Sequence, residues 1–437
     1  MQRKQRKQRF DSRRRAFRRL VLGAALGVAC FAAPSAFAQG VALRGIGAVN
    51  AGMSGVATAT PVDALGALQW NPATISALDS SEMSFGSGLI MADSSVSSGV
   101  NLPTASGPAS ISGTTESDAG TIPAPYMGMV MKNPESPFTL GFSMSAIGGA
   151  QANYPGDPTN PILNENIGLG RVSSKVELFQ MAPTLSYQLT ENISVGFAPT
   201  VAIARLIAEP MFFGPQDSAG DWGKGAGTRY VWGGGFQGGL YIKGNNGFNY
   251  GISYKSKQYV EDFTYNVVVD GQPKTAKFKL EYPAIYSAGI SYDGFQGTII
   301  GVDCRYFDYE NAAGFEEHGY NADGSVKGLG WDGCFSVATG IQRELNPFLA
   351  VRAGYCFNTN PISDEVALTN VPCPLIIQHT ASVGATLTTP DLWQFHVAYA
   401  HAFENSVRGE LSPMLPGSYV ENTASAHELT FGVAKKF

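Results

Sequence analysis

The sequence of 437 residues lacks several features that would place it in a familiar functional class. After residue 38, no apolar run reaches the roughly 20 residues that a membrane-spanning helix requires. Neither a G-x-x-x-x-G-K-[ST] phosphate-binding loop nor a G-x-S-x-G nucleophile motif is present. The sequence therefore gives no sign of a nucleotide-driven process, and a membrane-embedded hydrolase is a minority interpretation.

Positive charge is concentrated at the N-terminus. Residues 3–19 contain ten of the 30 Lys and Arg residues, an apolar stretch follows at 20–33, and Ala36-Phe37-Ala38 has the pattern of a cleavage site. Because the apolar stretch is too short to span a bilayer, this order predicts a signal peptide over residues 1–38 that is removed from the mature chain.

Removal of the signal peptide leaves a strongly acidic chain with 20 basic and 34 acidic residues. A basic face for nucleic acid is therefore not supported. A lipoprotein acylated at Cys30 is the competing interpretation of the N-terminus, and Gly27-Val28-Ala29 is a poor sequence for it.

Alternation of apolar with small or polar residues is the main structural signal after the signal peptide. A strand between lipid and a polar lumen has one face of each kind, which gives a period of two residues. The segments 191–204, 347–358 and 391–403 show this period. The last strand ends in Phe437, which looks like the recognition signal of the barrel assembly machinery, an expected partner.

Connections between the alternating segments are short and long in turn, as expected when the two ends of a barrel face different compartments. Short turns are predicted at 132–136, 189–192, 243–247, 292–295, 344–347 and 388–391. Long loops are predicted at 94–119, 147–171, 206–228, 261–275, 310–331, 359–375 and 404–423. We therefore predict an all-β fold, a transmembrane antiparallel β-barrel of about 14 strands over residues 81–437, with long extracellular loops.

A soluble β-sandwich or a repeat array would also contain many short strands. Neither explains the outward aromatic residues near the strand ends or the alternation of loop lengths, so the membrane barrel is favoured. Pro183 and Pro199 interrupt two predicted strands, and we expect β-bulges there because proline cannot donate a ladder hydrogen bond.

The stretch 45–74, ahead of the first predicted strand, is rich in small residues. Gly52 and Gly55, followed by Asp63 and then Asn71-Pro72-Ala73, give an order that resembles the N-terminal plug of the long-chain fatty-acid transporter family, the FadL/TodX type of outer-membrane channel. The resemblance implies a plug over residues 39–80 inside the barrel. In such a plug glycine allows close packing, while Asn and Pro favour a turn. A turn that carries no ligand is an equally good interpretation of the Asn-Pro-Ala sequence.

The resemblance also implies a route for the substrate. In the family, the third strand is kinked inward, and the kink opens a lateral gate from the lumen into the membrane. The corresponding residues are Ile147, Gly148, Gly149 and Ala150, since paired glycines suit a kinked strand. Alternatively, these residues only begin an extracellular loop. Lateral release would keep an apolar chain out of water. Exposure of the chain to water would cost about 0.8 kcal/mol per CH₂.

The substrate is left open between long-chain fatty acids and uncharged hydrocarbons. A carboxylate would favour a nearby cation, and Arg205, Arg305 and Arg352 are the candidate substrate-binding residues. Strand parity puts Arg305 and Arg352 in the lumen and Arg205 on the lipid side. For Arg352, an ion pair with a carboxylate such as Asp303 is the alternative to a role in binding substrate. Pro210 stands about where fatty-acid members of the family carry a basic residue, which weakens the fatty-acid interpretation.

No cofactor or metal is expected. Four cysteines follow the signal peptide without metal-binding spacing: Cys304, Cys334, Cys356 and Cys373. Cys334 and Cys356 have lumen parity on neighbouring strands, where a disulfide is one option in an oxidising compartment. His396 and His401 are five residues apart on one strand and should face opposite ways, which argues against a shared metal.

A channel for hydrophobic molecules explains the plug, the barrel and the loop asymmetry together. A general diffusion porin or a structural barrel leaves the plug-like stretch without a role. We therefore expect passive transport of fatty acids or hydrocarbons across the bacterial outer membrane, with plug rearrangement and lateral release, and no enzymatic activity. Expected partners are the hydrophobic substrate, outer-membrane lipids and detergent-like ligands, but no nucleic acid, and a monomer is the default.

Overall fold

The computed structural model describes residues 39–104, 107–225, 229–411 and 415–437, so the predicted signal peptide lies outside the described residues. Two short α-helices, α1 (Ala48–Ala51) and α2 (Ala64–Trp70), precede the first strand, and 3₁₀ helices lie at Pro72–Ala77, Tyr309–Asn311 and Asp364–Val366. The strands are β1 Glu82–Thr104, β2 Gly107–Glu116, β3 Thr121–Lys132, β4 Phe138–Tyr154, β5 Val172–Thr190, β6 Ile193–Glu209, β7 Val231–Lys243, β8 Phe248–Lys255, β9 Tyr259–Val260, β10 Phe263–Val269, β11 Gln272–Phe278, β12 Ala284–Phe295, β13 Thr298–Asp308, β14 Cys334–Asn346, β15 Leu349–Asn358, β16 His379–Thr388, β17 Trp393–Glu410 and β18 Tyr419–Lys436. None of the described helices is long and apolar enough to cross a membrane.

Fourteen of the described strands form one closed antiparallel barrel: β1, β3 to β8 and β12 to β18. Each of them pairs with the barrel strand next to it in the sequence. The barrel closes where β18 pairs with β1, from Lys436 opposite Glu82 to Tyr419 opposite Gly99. This arrangement confirms the predicted fold class and strand number.

Four further strands lie outside the barrel ladder. β2 pairs with residues 95–104 of β1, β9 pairs with β7, and β10 and β11 form a separate hairpin. The prediction that 94–119 and 261–275 are loops was therefore wrong in part. The β10–β11 hairpin buries one of its faces, with Phe263, Tyr265 and Val267 each no more than 3% exposed, so it does carry the alternation of a half-buried strand. Its strands are only seven residues long and are flanked by Asp and Gly residues typical of loops, which concealed it in the sequence.

Burial alternates along the barrel strands with a period of two. In β6, Ala198 and Ala202 are fully buried on the lumen side, whereas Phe197 and Val201 on the outward side are 53% and 40% exposed. Large apolar side chains thus cover the outside of the wall and small side chains line its inside. This is the pattern of a barrel with lipid around it and packed protein within it.

The ladder between β5 and β6 is interrupted around Pro183 and Pro199. Pairing stops after Met181 and Val201 and then resumes in the same register. No residue is inserted, so the β-bulges predicted at these prolines are wrong. Proline removes a hydrogen-bond donor without adding length to the strand, and the strands keep their alignment.

Cys334 and Cys356 do not form the disulfide that the sequence left open. Cys356 is opposite Ala338, four residues along β14 from Cys334, which corresponds to roughly 13 Å of strand. A disulfide requires Cα atoms within about 7 Å. Instead, the Cys334 thiol contacts the Thr359 carbonyl oxygen at 3.1 Å, and the Cys356 thiol contacts Asn358 Oδ1 at 3.3 Å.

Candidate functional site: a luminal segment beside an opening in the wall

Residues 39–80, here called the luminal segment, lie inside the barrel and are almost entirely buried. The wall holds this segment through hydrogen bonds from several strands. Ser253 of β8 donates to the Trp70 carbonyl at 2.5 Å, and Ser186 of β5 donates to the Ala73 carbonyl at 3.2 Å. Small polar side chains on the inner face of the wall thus satisfy backbone groups that would otherwise be buried without partners.

Asp63 and Asn71 begin the two helical turns at the end of the luminal segment. Asp63 Oδ1 caps α2 by accepting from the Gly66 amide at 3.3 Å. Burial, and then the neighbouring Glu82 carboxylate, raise the pKa of Asp63 from 3.8 to about 7. The Asp63 carboxyl therefore titrates near neutral pH inside the lumen.

The Asn71-Pro72-Ala73 sequence makes a turn and a contact with the wall. Asn71 Oδ1 accepts from the Ala73 amide at 3.1 Å, and Pro72 occupies the first turn of the 3₁₀ helix. Asn71 Nδ2 donates to the carbonyls of Thr58 at 2.8 Å and of Leu240 on β7 at 3.0 Å. One amide side chain thus joins two parts of the luminal segment to the wall, a contact that the sequence did not indicate.

Glycine is required where the luminal segment and the wall approach most closely. Gly55 has a φ of 87°, and a Cβ on it would lie 2.0 Å from the Arg44 carbonyl oxygen. On the wall, a Cβ on Gly239 would lie 2.0 Å from Asn71 Oδ1. Gly52 packs against Gly384 of β16, where an added Cβ would be 3.1 Å from the Gly384 Cα.

Asp303 and Arg305, both on the inner face of β13, form a buried charged contact with the luminal segment. Asp303 Oδ2 accepts from the amides of Ala57 and Thr58 at 2.8 and 2.9 Å and from Arg305 Nη2 at 2.5 Å. Arg305 Nη2 also donates to the Gly55 carbonyl at 2.6 Å. The partner of Asp303 is therefore Arg305, two residues along the same strand face, and the pairing with Arg352 considered from the sequence is wrong.

The other two arginines lie in separate surroundings. Arg352 is buried, and it donates to Gln342 Oε1 at 2.6 Å and to Thr386 Oγ1 at 2.7 Å. Arg205 faces outward and lies 3.9 Å from Glu177. The structure does not bring the three arginines together, and a role of any of them in binding substrate stays a prediction.

Lys255 is a buried luminal cation that sequence reasoning missed. Its side chain is 2% exposed, and its ammonium donates to Gln180 Oε1 at 3.2 Å. Within the described part of the chain, no carboxylate lies within ion-pair distance of Lys255. The signal was available, because Lys255 has the same lumen parity as Gly251 and Ser253 in β8.

The third barrel strand, β4, is bulged at Ile147. Ala146 is opposite Phe179 of β5 and Gly148 is opposite Leu178, so Ile147 has no partner in the ladder. A Cβ on Gly148 would lie 2.7 Å from the Val41 carbonyl oxygen. The bulge therefore turns β4 inward until its backbone touches the luminal segment.

Beyond this bulge, β3 and β4 separate. Their pairing ends at Tyr126 opposite Ser145. Further along, a hydrogen bond joins the segment before β3 to the end of β4, where the Asp118 amide donates to the Asn153 carbonyl at 2.8 Å. Between these points, residues 121–125 of β3 face residues 146–150 of β4 without ladder pairing. We call this gap the window.

The start of the luminal segment lies across the inner side of the window. The Leu43 amide donates to the Ile147 carbonyl, and the Gly149 amide donates to the Val41 carbonyl, both at 3.0 Å. The pairing is that of a very short β-strand added to β4. It satisfies backbone groups of β4 that have lost their pairing with β3.

A cavity of about 300 Å³, the window cavity, passes between the lumen and the outer face at this point. Its inner lining includes Val41 and Ala92, and its outer lining includes Pro123 and Phe179. Ile147, buried at the bulge, stands beside the residues that line it. The predicted gate residues Gly148, Gly149 and Ala150 all line the cavity.

A second, apolar cavity of about 90 Å³ lies among the long loops, and we call it the outer cavity. Its lining includes Phe212, Phe213, Trp222 and Phe278. Val176 and Cys373 line both the outer cavity and the window cavity. The two cavities are therefore adjacent and form a largely apolar path from the loops to the window.

Among the described residues, no three His, Cys, Asp or Glu side chains converge to hold a metal ion. His396 is on the lumen side, where its Nδ1 lies 2.7 Å from Thr386 Oγ1, whereas His401 faces outward. At the end of the chain, the Phe437 amide donates to the Ser81 carbonyl at 3.1 Å, and the Phe437 side chain is 62% exposed. Recognition of Phe437 by the barrel assembly machinery stays a prediction.

The closed barrel, its filled lumen and the gap in its wall define a transmembrane channel of the outer-membrane type. The family model described as outer membrane protein transport protein (OMPP1/FadL/TodX) matches residues 29–437, and the chain belongs to this family. The predicted family, the outer-membrane location and the absence of an enzymatic role are thereby confirmed.

Solved structures support the same fold. The Pseudomonas putida toluene transporter TodX has 15% identity and a TM-score of 0.65, with 90% of this chain and 99% of that chain covered. A Pseudomonas aeruginosa FadL homologue has 14% identity and a TM-score of 0.68, with 91% and 100% covered. The Ralstonia pickettii toluene transporter TbuX has 16% identity and a TM-score of 0.63, with 90% and 99% covered. No curated protein sequence matches the chain.

Proposed function

We propose that this protein carries hydrophobic small molecules passively across the outer membrane and releases them sideways through the window. One observation carries the proposal: the outer cavity and the window cavity share Val176 and Cys373, so an apolar path leads from the loops to a gap in the wall. Molecules that leave through the window enter lipid rather than water, which avoids the free-energy cost of hydrating each CH₂ group.

In this proposal the luminal segment is the plug that controls passage. Two hydrogen bonds hold Val41 and Leu43 against the bulge of β4. A hydrogen bond contributes only about 0.5 to 1.5 kcal/mol net, so thermal motion suffices to release the pair. Release would widen the window cavity while the contacts of Asn71 and Asp303 keep the remainder of the segment in place.

Lys255 supplies the cation for a substrate with an acidic headgroup. It is buried in the lumen, and its partner Gln180 lies opposite Ser145, the last β4 residue paired with β3 below the window. A carboxylate would complete the hydrogen bonding of the ammonium, while the apolar tail extended toward the window. In this proposal the fatty-acid headgroup binds at Lys255 rather than at the three arginines.

The test is uptake of labelled oleate and toluene into proteoliposomes. Gly149→Pro removes the amide that donates to Val41, Ala124→Trp fills the window cavity, and deletion of residues 40–74 removes most of the plug. Ala288→Trp on the exposed face of β12 is the matched control for the added indole. Heat-modifiable electrophoretic mobility establishes that each variant is a folded barrel.

We expect uptake in the wild type and in Ala288→Trp, a large loss in Ala124→Trp, and leakage of small sugars through the deletion variant. Altered uptake in Gly149→Pro would report on the contact with Val41. If the wild type passes sugars freely and neither apolar substrate, the alternative of a general diffusion porin holds and the lateral route is wrong. A monomer stays the default expectation for the oligomeric state.

A further inference from the structure

His401 of β17 and His427 of β18 stand directly opposite each other in the antiparallel pairing. Both side chains face outward and are half-buried, and their ring centroids are 4.8 Å apart. The two Nδ1 atoms are 3.4 Å apart. The transport route described above lies on the inner side of these strands and makes no use of the pair.

The separation of the two nitrogens fits a metal better than it fits a hydrogen bond. Hydrogen bonds from N–H donors in proteins span about 2.7 to 3.2 Å. Two imidazole nitrogens bound to one Zn²⁺ at about 2.0 to 2.1 Å, with a tetrahedral angle between them, lie about 3.3 to 3.4 Å apart. The two Nδ1 atoms of His401 and His427 already have this spacing, so their separation need not change for both to bind one ion.

The pair lies where ions can reach it. On the same outward face, side chains toward the short-turn end are apolar, such as Phe431 and Val397, which are 47% and 41% exposed. Toward the long-loop end, Phe403 is still apolar and 44% exposed, and beyond it the face becomes polar, with Arg408 and Glu421 at 3.4 Å from each other. The histidines stand at the border between the lipid-facing belt and the aqueous rim.

The remaining coordination positions have suitable surroundings. No third His, Cys, Asp or Glu among the described residues completes the group, so two positions of a four-coordinate ion are left for water. Tyr399 Oη is hydrogen-bonded to His427 Nδ1 at 2.7 Å, so a metal must displace this hydroxyl from the nitrogen, and the displaced hydroxyl is then free to hydrogen-bond a metal-bound water. Such outer partners fix the orientation of metal ligands.

We propose that His401 and His427 form a binding site for a divalent transition-metal ion, with Zn²⁺ as the best geometric match. The ion bridges β17 and β18 on the outside of the barrel, one strand away from the β1–β18 pairing that closes it. It therefore stabilises the wall without entering the substrate path.

The test is isothermal titration of Zn²⁺ into the full barrel in detergent, prepared without a polyhistidine tag and stripped of metal with a chelator. His401→Gln and His427→Gln each remove one ligand. His379→Gln is the matched control, because His379 also faces outward on β16 and contacts Tyr355, but no second histidine lies opposite it. Heat-modifiable mobility again reports folding of each variant.

We expect one saturable Zn²⁺ per chain in the wild type and in His379→Gln, and at least tenfold weaker binding in each of the other two variants. Binding should also weaken at pH 5, because protons compete with the metal for the imidazole nitrogens. Substitution with Co²⁺ should give the intense visible absorption of a tetrahedral site. Absence of saturable binding in the wild type, or binding in His401→Gln and His427→Gln as tight as in the wild type, would overturn the proposal.

Discussion

The guanidinium carbon of Arg305 lies 3.7 Å from the ring centroid of Trp70, so a charged side chain of the wall stacks on the last residue of helix α2. The same guanidinium pairs with Asp303, and both charged groups are buried. The Arg305 guanidinium thus makes both a cation–π contact and a buried ion pair. These two interactions hold the luminal segment against β13.

Removal of the Arg305 charge should destabilise the protein strongly. Arg305→Met leaves the Asp303 carboxylate buried without its counter-charge, and we expect a loss of about 3 to 5 kcal/mol in the free energy of unfolding. Denaturant unfolding in detergent micelles measures this loss. The double variant Asp303→Asn/Arg305→Met should recover part of it, since no charge is then left unpaired. Equal stabilities of the single variant and the wild type would contradict this account.

Loss of the Asn71 amide should loosen the luminal segment without unfolding the barrel. Asn71→Ala leaves the Thr58 and Leu240 carbonyls without their donor, at a cost of about 1 to 3 kcal/mol. We expect faster amide exchange over residues 56–77 and unchanged exchange in the barrel strands, measured by mass spectrometry. Asn245→Ala in an exposed short turn is the control and should change neither region.

The stability of helix α2 should depend on pH through Asp63. Because its pKa is raised from 3.8 to about 7 in the folded protein, the stabilisation is complete below about pH 4 and is lost as the pH rises through about 7. Glu82 adds to this rise, whereas the charges of Arg352 and Lys436 oppose it. The wild type should therefore show weaker amide protection of α2 at pH 8 than at pH 5.

Asp63→Asn separates this titration from the helix cap. Asparagine is also a good N-cap residue, so the variant keeps a side-chain oxygen for the Gly66 amide but carries no charge. We expect its α2 protection, corrected for the intrinsic exchange rate, to be nearly constant from pH 5 to 8. Asp79→Asn, at an exposed position, should retain the pH dependence of the wild type. The same pH dependence in Asp63→Asn would assign it to another group.

Lys255→Met should distinguish acidic from neutral substrates. A charge-assisted hydrogen bond contributes about 1.5 to 3 kcal/mol, so oleate uptake should fall about tenfold or more, whereas toluene uptake should stay unchanged. Lys243→Met, at the exposed end of β7, is the control. Proteoliposome assays measure the uptake of oleate and of toluene in each variant. An equal fall for oleate and toluene would mean that Lys255 supports the barrel rather than the headgroup.

The wall was predictable because lipid and lumen impose opposite demands on alternate residues, as in β6 and β17. Contacts between residues on distant strands were not predictable from the sequence. The fold brings Asn71 to Leu240 and Arg305 to Trp70, and no local pattern encodes either approach. Parity placed Arg305 and Arg352 in the lumen but could not show which of them pairs with Asp303. Parity also places Lys255 in the lumen, but parity alone could not show that no described carboxylate comes within ion-pair distance of its ammonium.

The short strand formed by Val41 and Leu43 has a consequence for folding. Its partner surface is the bulged backbone of β4 around Ile147, and this surface exists only after β4 has paired with β5. Residues 41–43 therefore take their native position only after β4 and β5, which follow them in the chain, have paired. Assembly of the barrel must keep these residues from pairing prematurely with other open strand edges.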